Sequence, residues 1–373
     1  MKKNIVIIGC GFGGIEALRR LSRHNDRFHI TVIDKRDTFD FLPLLPDIIG
    51  RDFPVEYLQV GIADECRRCQ ADFVHEEVIG LDPGNNTVST AKNQFPYDQL
   101  IIACGGETNF YGNAELAQNA ATLRSVRDGL DIKKTISEKT FEHFIIAGGG
   151  YTGIEIATQI KRWINRNGSR ARVLIVERAD SILGPLPDWI KDYTLRQIEQ
   201  MDVPVLSGKT VQAYAGQTVT LSDNTRYPNA LLIWVAGVKL PDFVTNLNVE
   251  KIGGRIKVNP FLQVRENVYA IGDGAAFLDH DKSLRMAVMF AMGQGKCAAG
   301  NIVRTYQNKP SRAYRALDLG YVIPVANNRA SGFVLGMKTK GLLPALLHYG
   351  ISAYRSYGWR NRIGVFLHSL RNR

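Results

Sequence analysis

Two glycine-rich turns have the spacing of loops that hold the phosphates of a dinucleotide. Each is written G-x-G-x-x-G and follows a short apolar run; the two sets are Gly9, Gly11 and Gly14, and Gly148, Gly150 and Gly153. In this pattern the first glycine makes a tight turn, the second lets a pyrophosphate reach the backbone, and the third lets a helix pack closely on a strand. The N-terminus of that helix then faces the phosphate charge. The spacing predicts two nucleotide sites.

An acidic residue ends the second strand of each repeat. Asp34 closes residues 29–34 and is predicted to accept hydrogen bonds from a ribose, and Glu177 closes residues 172–177. A carboxylate at the second position repels a 2′-phosphate, because two unit charges about 4 Å apart at an effective dielectric near 20 cost about 4 kcal/mol. The sequence therefore favours NADH over NADPH, although the neighbouring Arg178 would soften the preference.

A third segment, residues 268–274 (VYAIGDG), ends a strand in glycines around one acid, Asp273. An acid in this place can bind a hydroxyl-rich chain such as the ribityl of a flavin. The helix predicted over residues 283–303 would point its positive end towards charge on the reduced flavin ring. The alternative is an ordinary turn aspartate.

These motifs lie on one plan that is used twice. Strand, glycine turn, helix and strand recur at residues 4–34 and at residues 144–177. Each half then has turn-rich strands and closes on an apolar strand, residues 100–104 and 231–236. The plan predicts an α/β fold with two Rossmann-like nucleotide-binding domains, each with an antiparallel β insert. The predicted boundaries are 1–110 with 260–325 for the FAD-binding domain, 111–259 for the NADH-binding domain with its linker, and 326–373 for a short C-terminal membrane-associating segment.

Composition narrows the class of protein. The chain has 373 residues with 45% apolar residues and 35 glycines, which is typical of a globular protein of two or three domains. No apolar run is long enough to cross a bilayer, and the N-terminus enters a strand pattern without room for a signal peptide. Five cysteines are few and odd in number, which indicates a reducing compartment. We therefore expect a cytoplasmic protein.

The net charge of +11 is concentrated at the C-terminal end. No acidic residue follows Asp318, whereas basic residues alternate there with apolar and aromatic ones. The basic residues are Arg329, Lys338, Lys340, Arg355, Arg360, Arg362, Arg371 and Arg373. Such a segment is typical of a helix lying in a membrane surface, where half of these charges would contribute about 4 kcal/mol. The alternatives are a homodimer interface or a helix packed on the body. Nucleic acid is not expected, because no recognition motif accompanies the charge.

Together these motifs resemble the two-dinucleotide-binding flavoprotein superfamily over almost the whole chain. Residues 103–106 (ACGG) stand where that superfamily has A-T-G-G. Within it the chain looks most like type II NADH:quinone oxidoreductases, on residues 41–45 (FLPLL), residues 149–155 (GGYTGIE) and the basic, aromatic tail. The resemblance implies FAD in the first half with the Asp273 segment, NADH in the second, a quinone as acceptor, and a peripheral position on the cytoplasmic face of the inner membrane.

The resemblance also implies which residues bind the cofactors. Those for FAD are Gly9, Gly11, Phe12, Gly13, Gly14, Asp34, Lys35, Val78, Ala103, Gly105 and Asp273. Those for NADH are Gly148, Gly150, Thr152, Gly153, Glu177 and Gly237.

Glu155 has two interpretations. Residues 152–155 fit a capping box, S/T-x-x-E, at a helix start. The resemblance instead places Glu155 beside the flavin ring, where it relays protons to the reduced quinone. Lys338 or Lys340 is a candidate for stabilising the negative charge of that quinone, and the alternative is that both bind lipid phosphates.

Two departures from the family pattern bear on quinone use. Cys104 replaces the threonine of A-T-G-G, and residues 292–295 (MGQG) hold one glutamine, Gln294, where the family has a Gln-Gln pair near the quinone.

The cysteines do not form an obvious reactive dithiol. Cys66 and Cys69 form a C-x-x-C pair without a second pair to complete a zinc site, so we interpret them as incidental thiols and expect no metal. Cys10 lies in a phosphate loop and Cys104 at a strand end. Electrons would then pass from flavin directly to an acceptor. Three alternatives remain: a soluble NADH-dependent reductase of a ferredoxin or rubredoxin, a sulfide:quinone reductase-like enzyme, and a non-catalytic flavin-holding redox sensor.

Overall fold

The computed structural model describes residues 1–325 and 327–371. The predicted tail residue Arg373 lies outside the described residues. The helices, in chain order, are α1 Phe12–Leu21, α2 Leu45–Gly50, α3 Ile62–Arg68, α4 Ala114–Asn119, α5 Val126–Glu138, α6 Tyr151–Asn167, α7 Asp188–Gln200, α8 Asp242–Thr245, α9 Val288–Thr305, α10 Leu342–Arg355 and α11 Trp359–Arg371. They belong to two compact units.

Unit 1 is built on a six-stranded sheet. Its strands, from one edge to the other, are Gln263–Arg265, Val268–Ala270, Gln99–Ile102, Lys3–Ile8, Phe28–Asp34 and Asp72–His75. All neighbouring strands run parallel, except that the edge strand Gln263–Arg265 is antiparallel to Val268–Ala270. The central strands are almost wholly apolar, since strands of a parallel sheet are buried on both faces. Helices α1 and α9 pack against each other in this unit.

Smaller sheets complete unit 1. The antiparallel insert consists of Val78–Asp82, Thr87–Thr90 and Gln94–Pro96, and further strands are Lys251–Ile252, Arg255–Lys257, Ala275–Ala276, Leu278–Asp279 and Lys282–Ser283. The turn at residues 83–86 joins the first two insert strands. Short strands lie where the chain passes from one unit to the other, at Thr38–Asp40, Gln59–Gly61, Glu107–Thr108 and Val238–Lys239.

Unit 2 repeats the plan on a four-stranded parallel sheet. Its order is Val205–Ser207, Arg172–Glu177, His143–Ala147 and Ala230–Trp234. The antiparallel insert is Val211–Ala215, Thr218–Leu221 and Arg226–Tyr227, and its side chains join Trp234 and Leu232 in one apolar cluster. The predicted α/β architecture, with two nucleotide-binding folds and an antiparallel insert in each, is therefore confirmed.

The unit boundaries differ from the predicted ones in three places. Unit 1 is Met1–Phe39, Val60–Glu107 and Val238–Asp318; unit 2 is Asp40–Gln59, Thr108–Gly237 and Leu319–Arg373. Asp40–Gln59 joins unit 2 because α2 packs on α5 and α6. Residues 238–259 join unit 1 because Arg255–Lys257 pairs with Ala275–Ala276.

The C-terminal segment is not separate, which corrects the third boundary. Its antiparallel strands are Gly320–Val325, Arg329–Val334 and Met337–Gly341, and they continue into α10 and α11. Helix α10 packs on these strands, and α6 and α7 pack on the same sheet. The segment is thus part of unit 2, because its buried residues complete a core with the second nucleotide-binding fold. None of the helices in the described residues is long and apolar enough to cross a membrane.

Candidate functional site

The first glycine turn has the shape that dinucleotide binding requires. Gly9 has φ +93°, and a Cβ added to it would lie 2.5 Å from the Ala103 carbonyl oxygen. A Cβ on Gly14 would lie 2.0 Å from the Gly9 carbonyl oxygen, whereas a Cβ on Gly11 would meet nothing within 4 Å. The first and third glycines are thus required by packing, and the second leaves the open space that a pyrophosphate needs.

The second turn repeats this geometry. Gly148 has φ +114°, and a Cβ on Gly153 would lie 1.8 Å from the Gly148 carbonyl oxygen. Around Gly150, in contrast, there is open space. Both units therefore hold a cradle for a phosphate group, and the residues present fit a dinucleotide in each.

The acid of each repeat is bonded to the glycine turn itself. Asp34 is 7% exposed; its Oδ2 accepts from Cys10 N at 2.7 Å and its Oδ1 from Arg36 N at 2.9 Å. In unit 2, Glu177 Oε2 accepts from Gly149 N at 2.6 Å and Oε1 from Ala179 N at 2.8 Å. Each carboxylate has lone pairs left for a ribose, but it also holds the turn in place. The sequence did not predict this second role.

The other predicted FAD residues lie around the C-terminal ends of the parallel strands in unit 1. Ala103 and Gly105 follow one parallel strand, and Asp273 follows its neighbour. Phe12 and Gly13 open α1, Lys35 follows Asp34, and Val78 begins the insert. Lys35 is ion-paired with Glu77 at 3.0 Å and with Glu107.

The segment around Asp273 is anchored by two side chains, the buried Gln294 and the half-buried Arg255. Gln294, which is 1% exposed on α9, accepts a hydrogen bond from Gly272 N through its Oε1 at 2.7 Å. Arg255 donates to the carbonyl oxygens of Asp273 at 3.1 Å and of Leu284 at 2.7 Å. The single glutamine of this helix therefore holds the Asp273 turn. A Cβ on Gly295 would lie 2.2 Å from the Gly13 carbonyl oxygen, so this glycine lets α9 approach α1.

In unit 2 the predicted NADH residues lie near the C-terminal ends of the parallel strands. Thr152 is exposed in the first turn of α6, and Gly237, with φ +82°, follows the strand Ala230–Trp234. Arg178 lies over the Tyr111 ring at 5.9 Å.

The capping-box interpretation of Glu155 is wrong. Helix α6 begins at Tyr151 with Gly150 as its N-cap, so Thr152 lies inside the first turn and makes no cap. Helices α1 and α6 begin at Phe12 and Tyr151, so the third glycine of each turn, Gly14 or Gly153, lies within the first helical turn.

Glu155 lines a small polar cavity in unit 2. Asp47, Gln159 and Tyr349 also line it, and about 10 Å³ is left for the centre of a water molecule, the lower limit for holding one. Burial, and then the charge of Asp47, raise the pKa of Glu155 well above its usual value. The sequence singled out Glu155 but not its neighbours. One pattern in the sequence could have indicated these neighbours. Asp47 and Arg51, just after FLPLL, are an acid and a base four residues apart, a spacing that pairs them on one helix face.

Lys338 lies apart from the lining of this cavity. It is exposed on the strand Met337–Gly341, with its Nζ over the Trp189 ring at 5.9 Å. Lys340 is exposed on the same strand. The structure thus places both predicted lysines on the outer surface of the C-terminal sheet.

The cysteine thiols are free, and burial raises the pKa of each. Cys66 and Cys69 are buried, and burial raises the pKa of Cys66 to about 12. Burial likewise raises the pKa of Cys104 to about 12. The thiolate is the reactive form of cysteine, so these environments do not activate a nucleophile. In the described part of the chain no cluster of acids, histidines and cysteines could hold a metal ion.

The two cradles and their acids define a protein with two dinucleotide-binding folds. The chain belongs to the pyridine nucleotide-disulphide oxidoreductase family, which it matches over residues 3–316. It is 28% identical to the demethylphylloquinone reductase NdbB of Synechocystis sp., over 99% of this chain and 96% of that protein. It is 29% identical to the type II NADH:quinone oxidoreductase NdhA of Mycobacterium tuberculosis, over 73% of this chain and 66% of that one.

A solved structure shares the fold. NDH2 of Plasmodium falciparum, in complex with NADH, has a TM-score of 0.87 at 17% identity, covering 100% of this chain and 98% of its own. The family membership predicted from the motifs is confirmed.

Proposed function

We propose that this protein is an NADH:quinone oxidoreductase that carries FAD in unit 1 and takes NADH in unit 2. The observation that supports it most strongly is the repetition of one complete cradle in both units, with open space at Gly11 and at Gly150. The relatives named as demethylphylloquinone reductase and type II NADH:quinone oxidoreductase, matched over 99% and 73% of this chain, support a quinone as the acceptor.

In this proposal the residues of unit 1 hold FAD. The turn at Gly9 and Gly11 takes the pyrophosphate, Asp34 the ribose, and Asp273 the ribityl chain. Phe12, Gly13, Lys35, Val78, Ala103 and Gly105 surround the same edge of the sheet. When bound, FAD supplies a group that accepts hydride from NADH and releases two electrons.

The residues of unit 2 hold NADH. Gly148, Gly150, Thr152 and Gly153 take its pyrophosphate at the N-terminus of α6, where unpaired N–H groups favour an anion. Glu177 meets the adenosine ribose and disfavours a 2′-phosphate there, so NADH is preferred over NADPH. Gly237 closes the site at the end of the neighbouring strand.

Glu155 is the proposed proton donor to the reduced acceptor. Burial raises its pKa well above the ordinary value, which favours the protonated form. Lys338, whose ammonium is exposed, is proposed to stabilise negative charge on the acceptor, with Lys340 as the alternative. In the second interpretation both lysines bind lipid phosphates.

Membrane attachment is proposed through an apolar tail surface. Its residues are large apolar side chains of the C-terminal segment that are at least a third exposed: Leu335, Met337, Leu342, Leu343, Ile351, Tyr354, Trp359, Ile363, Phe366 and Leu367. The four on α11 are Trp359, Ile363, Phe366 and Leu367. Their spacing of i, i+4, i+7 and i+8 places them on one helix face. Exposed Arg360 and Arg362 flank them. A face of this kind suits a peripheral position on the cytoplasmic face of the inner membrane; a homodimer interface would use the same residues.

Anaerobic stopped-flow spectroscopy tests the proposal. NADH should bleach the flavin absorbance, and a short-chain quinone mixed in afterwards should restore it at a rate that accounts for steady-state turnover. A control uses reduced protein and an oxidised ferredoxin. Reoxidation by the ferredoxin but not by the quinone would contradict the proposed acceptor, and a folded protein that binds no flavin would contradict the whole assignment.

A further inference from the structure

Asp47 and Glu155 are two carboxyl groups on the wall of one small cavity. Asp47 is on α2 and Glu155 on α6, and both side chains line the cavity described above. When two carboxyl groups share a poorly hydrated site, ionising both is costly because the two negative charges repel each other. One of the two groups therefore tends to keep its proton. Which group keeps it depends on the donors around each.

Hydrogen-bond donors converge on Asp47. Its Oδ1 accepts from Tyr349 Oη at 2.9 Å and from Gln159 Nε2 at 2.9 Å, and Arg51 Nε lies 3.0 Å from the same oxygen. Arg51 is itself buried, at 2% exposure, and its guanidinium lies over the Tyr349 ring at 5.0 Å. Burial raises the pKa of Asp47, whereas the charge of Arg51 and the hydrogen bond from Tyr349 oppose that rise. A buried anion needs donors and a cation close by, and Asp47 has both.

Glu155 has a different environment. Within the described residues its side chain makes no hydrogen bond, and the charge that raises its pKa, after burial, is that of the Asp47 carboxylate. The other titratable or charged groups packed around the cavity are Arg51 from α2, Arg162 from α6, and His348 and Tyr349 from α10. Of these groups, Arg51 is ion-paired with Asp47, whereas Glu155 makes no ion pair within the described residues.

We propose that Asp47 is a positioning residue for the acceptor site: it stays an anion, held by Arg51, Tyr349 and Gln159, and thereby keeps the proton of the pair on Glu155. This inference rests on the proposed function. Overall, NADH, a proton and a quinone give NAD⁺ and a hydroquinone. NADH supplies two electrons and one proton, Glu155 supplies the second proton, and water returns a proton to Glu155. Asp47 gains and loses none.

The pH dependence of quinone reduction tests this inference. Asp47→Asn keeps an oxygen that accepts from Tyr349 and Gln159 but removes the charge. In a plot of kcat against pH with a short-chain quinone, the fall of kcat at high pH should begin about one pH unit lower. Without the Asp47 charge Glu155 ionises more easily, and one pH unit is a tenfold change in its proton affinity. Glu155→Gln should slow the reaction about tenfold or more and abolish the fall at high pH, and the double variant should match Glu155→Gln alone.

Asp52→Asn is the matched control. Asp52 lies five residues further along, ion-paired with Lys133 at 2.7 Å and Arg166 at 2.8 Å, and the cavity lining does not include it. Its variant should keep the wild-type pH profile. An unmoved fall of kcat at high pH in Asp47→Asn would overturn the inference, and so would a shift that persists when Glu155 is already glutamine.

Infrared spectroscopy provides a second test that does not depend on turnover. It detects the protonated carboxyl group directly, so one poorly folded variant does not decide the result. At neutral pH the wild-type protein should show a protonated carboxyl band that Glu155→Gln removes and Asp52→Asn leaves unchanged. Loss of the band in Asp47→Asn with its retention in Glu155→Gln would place the proton on Asp47 and overturn the inference. Failure of NADH or quinone to react with the wild-type protein would instead contradict the proposed function, without altering the infrared result.

Discussion

Glu177 Oε2 accepts a hydrogen bond of 2.6 Å from the backbone N–H of Gly149. The other oxygen of the same carboxylate accepts from Ala179 N at 2.8 Å. Glu177 therefore both orders the glycine turn and places negative charge where a 2′-phosphate would bind. Removing the side chain would disturb the turn as well as the charge, so a substitution that keeps its shape is the better test.

Glu177→Gln should raise kcat/KM for NADPH relative to NADH at least tenfold. The amide keeps one acceptor for the turn and removes a repulsion of up to about 4 kcal/mol, where about 1.4 kcal/mol is tenfold. Steady-state kinetics with both nucleotides measure the ratio. Exposed Glu142, at the opposite end of the neighbouring strand, provides the control Glu142→Gln, which should leave the ratio unchanged. A wild-type protein that prefers NADPH would contradict the role of Glu177.

Gly11→Val should abolish flavin binding and leave the protein folded. A Cβ added here would meet nothing within 4 Å, so a side chain extends into the space that a pyrophosphate needs. Flavin absorbance per chain and circular dichroism measure the two effects. Gly300→Ala, also in open space but on α9, should keep the flavin. Gly14→Ala should impair folding itself, since its Cβ would lie 2.0 Å from the Gly9 carbonyl oxygen. A yellow Gly11→Val protein would disprove this cradle.

Gln294→Leu should lower the free energy of unfolding by about 1–3 kcal/mol and speed the loss of flavin. The substitution leaves the Gly272 N–H without its acceptor, and an unsatisfied buried donor costs about that much. Chemical denaturation followed by flavin fluorescence measures both. Exposed Gln118 on α4 provides the control Gln118→Leu. Unchanged stability in Gln294→Leu would mean that the Asp273 turn does not depend on this hydrogen bond.

His348 should make the protein sensitive to acid. Burial, and then the charge of Arg51, lower its pKa from 6.5 to about 4, so the unfolded chain takes up the proton more readily. The stability contributed by neutral His348 is complete above pH 6.5 and is lost as pH falls towards 4, by about 3 kcal/mol.

His348→Phe should remove most of this acid sensitivity, measured as the free energy of unfolding against pH. Exposed His280 provides the control His280→Asn, which should keep the wild-type slope. If His348→Phe retains the full slope between pH 6.5 and 4, the proton uptake belongs to another group.

Two substitutions on α11 should release the protein from anionic vesicles. Trp359 and Phe366 are 78% and 50% exposed, so Trp359→Ser with Phe366→Ser removes apolar surface without disturbing the core. Turnover with long-chain quinones should slow more than with short, water-soluble ones, and high salt should release part of the wild-type protein by screening. Sedimentation with vesicles measures binding.

Exposed Ile79 in unit 1 provides the control Ile79→Ser, which should still bind vesicles. Continued sedimentation of the double variant would contradict membrane attachment through α11. Truncation before Gly341 is a less specific test, because it also removes Tyr349, which donates a hydrogen bond to Asp47.

The amino-acid sequence by itself determined the two nucleotide-binding folds and the position of the glycine turn and the acid in each. Glycine spacing, β-branched strands and a terminal acid are local requirements, and the short strand–turn–helix segment that carries them is continuous in the chain. The predicted strand at residues 172–177 matches Arg172–Glu177 for this reason. The family-level prediction rested on the same local patterns.

Tertiary structure alone decided which residues surround Glu155. Asp47, Glu155 and Tyr349 come from three distant parts of the chain, and the packing of α2 and α10 within unit 2 brings them to one cavity. No periodicity marks such a meeting, since a buried carboxylate pair depends on distances across the core and not on spacing along the chain. For the same reason the C-terminal segment, which reads as a free amphipathic helix, is in the structure a sheet and two helices that complete unit 2.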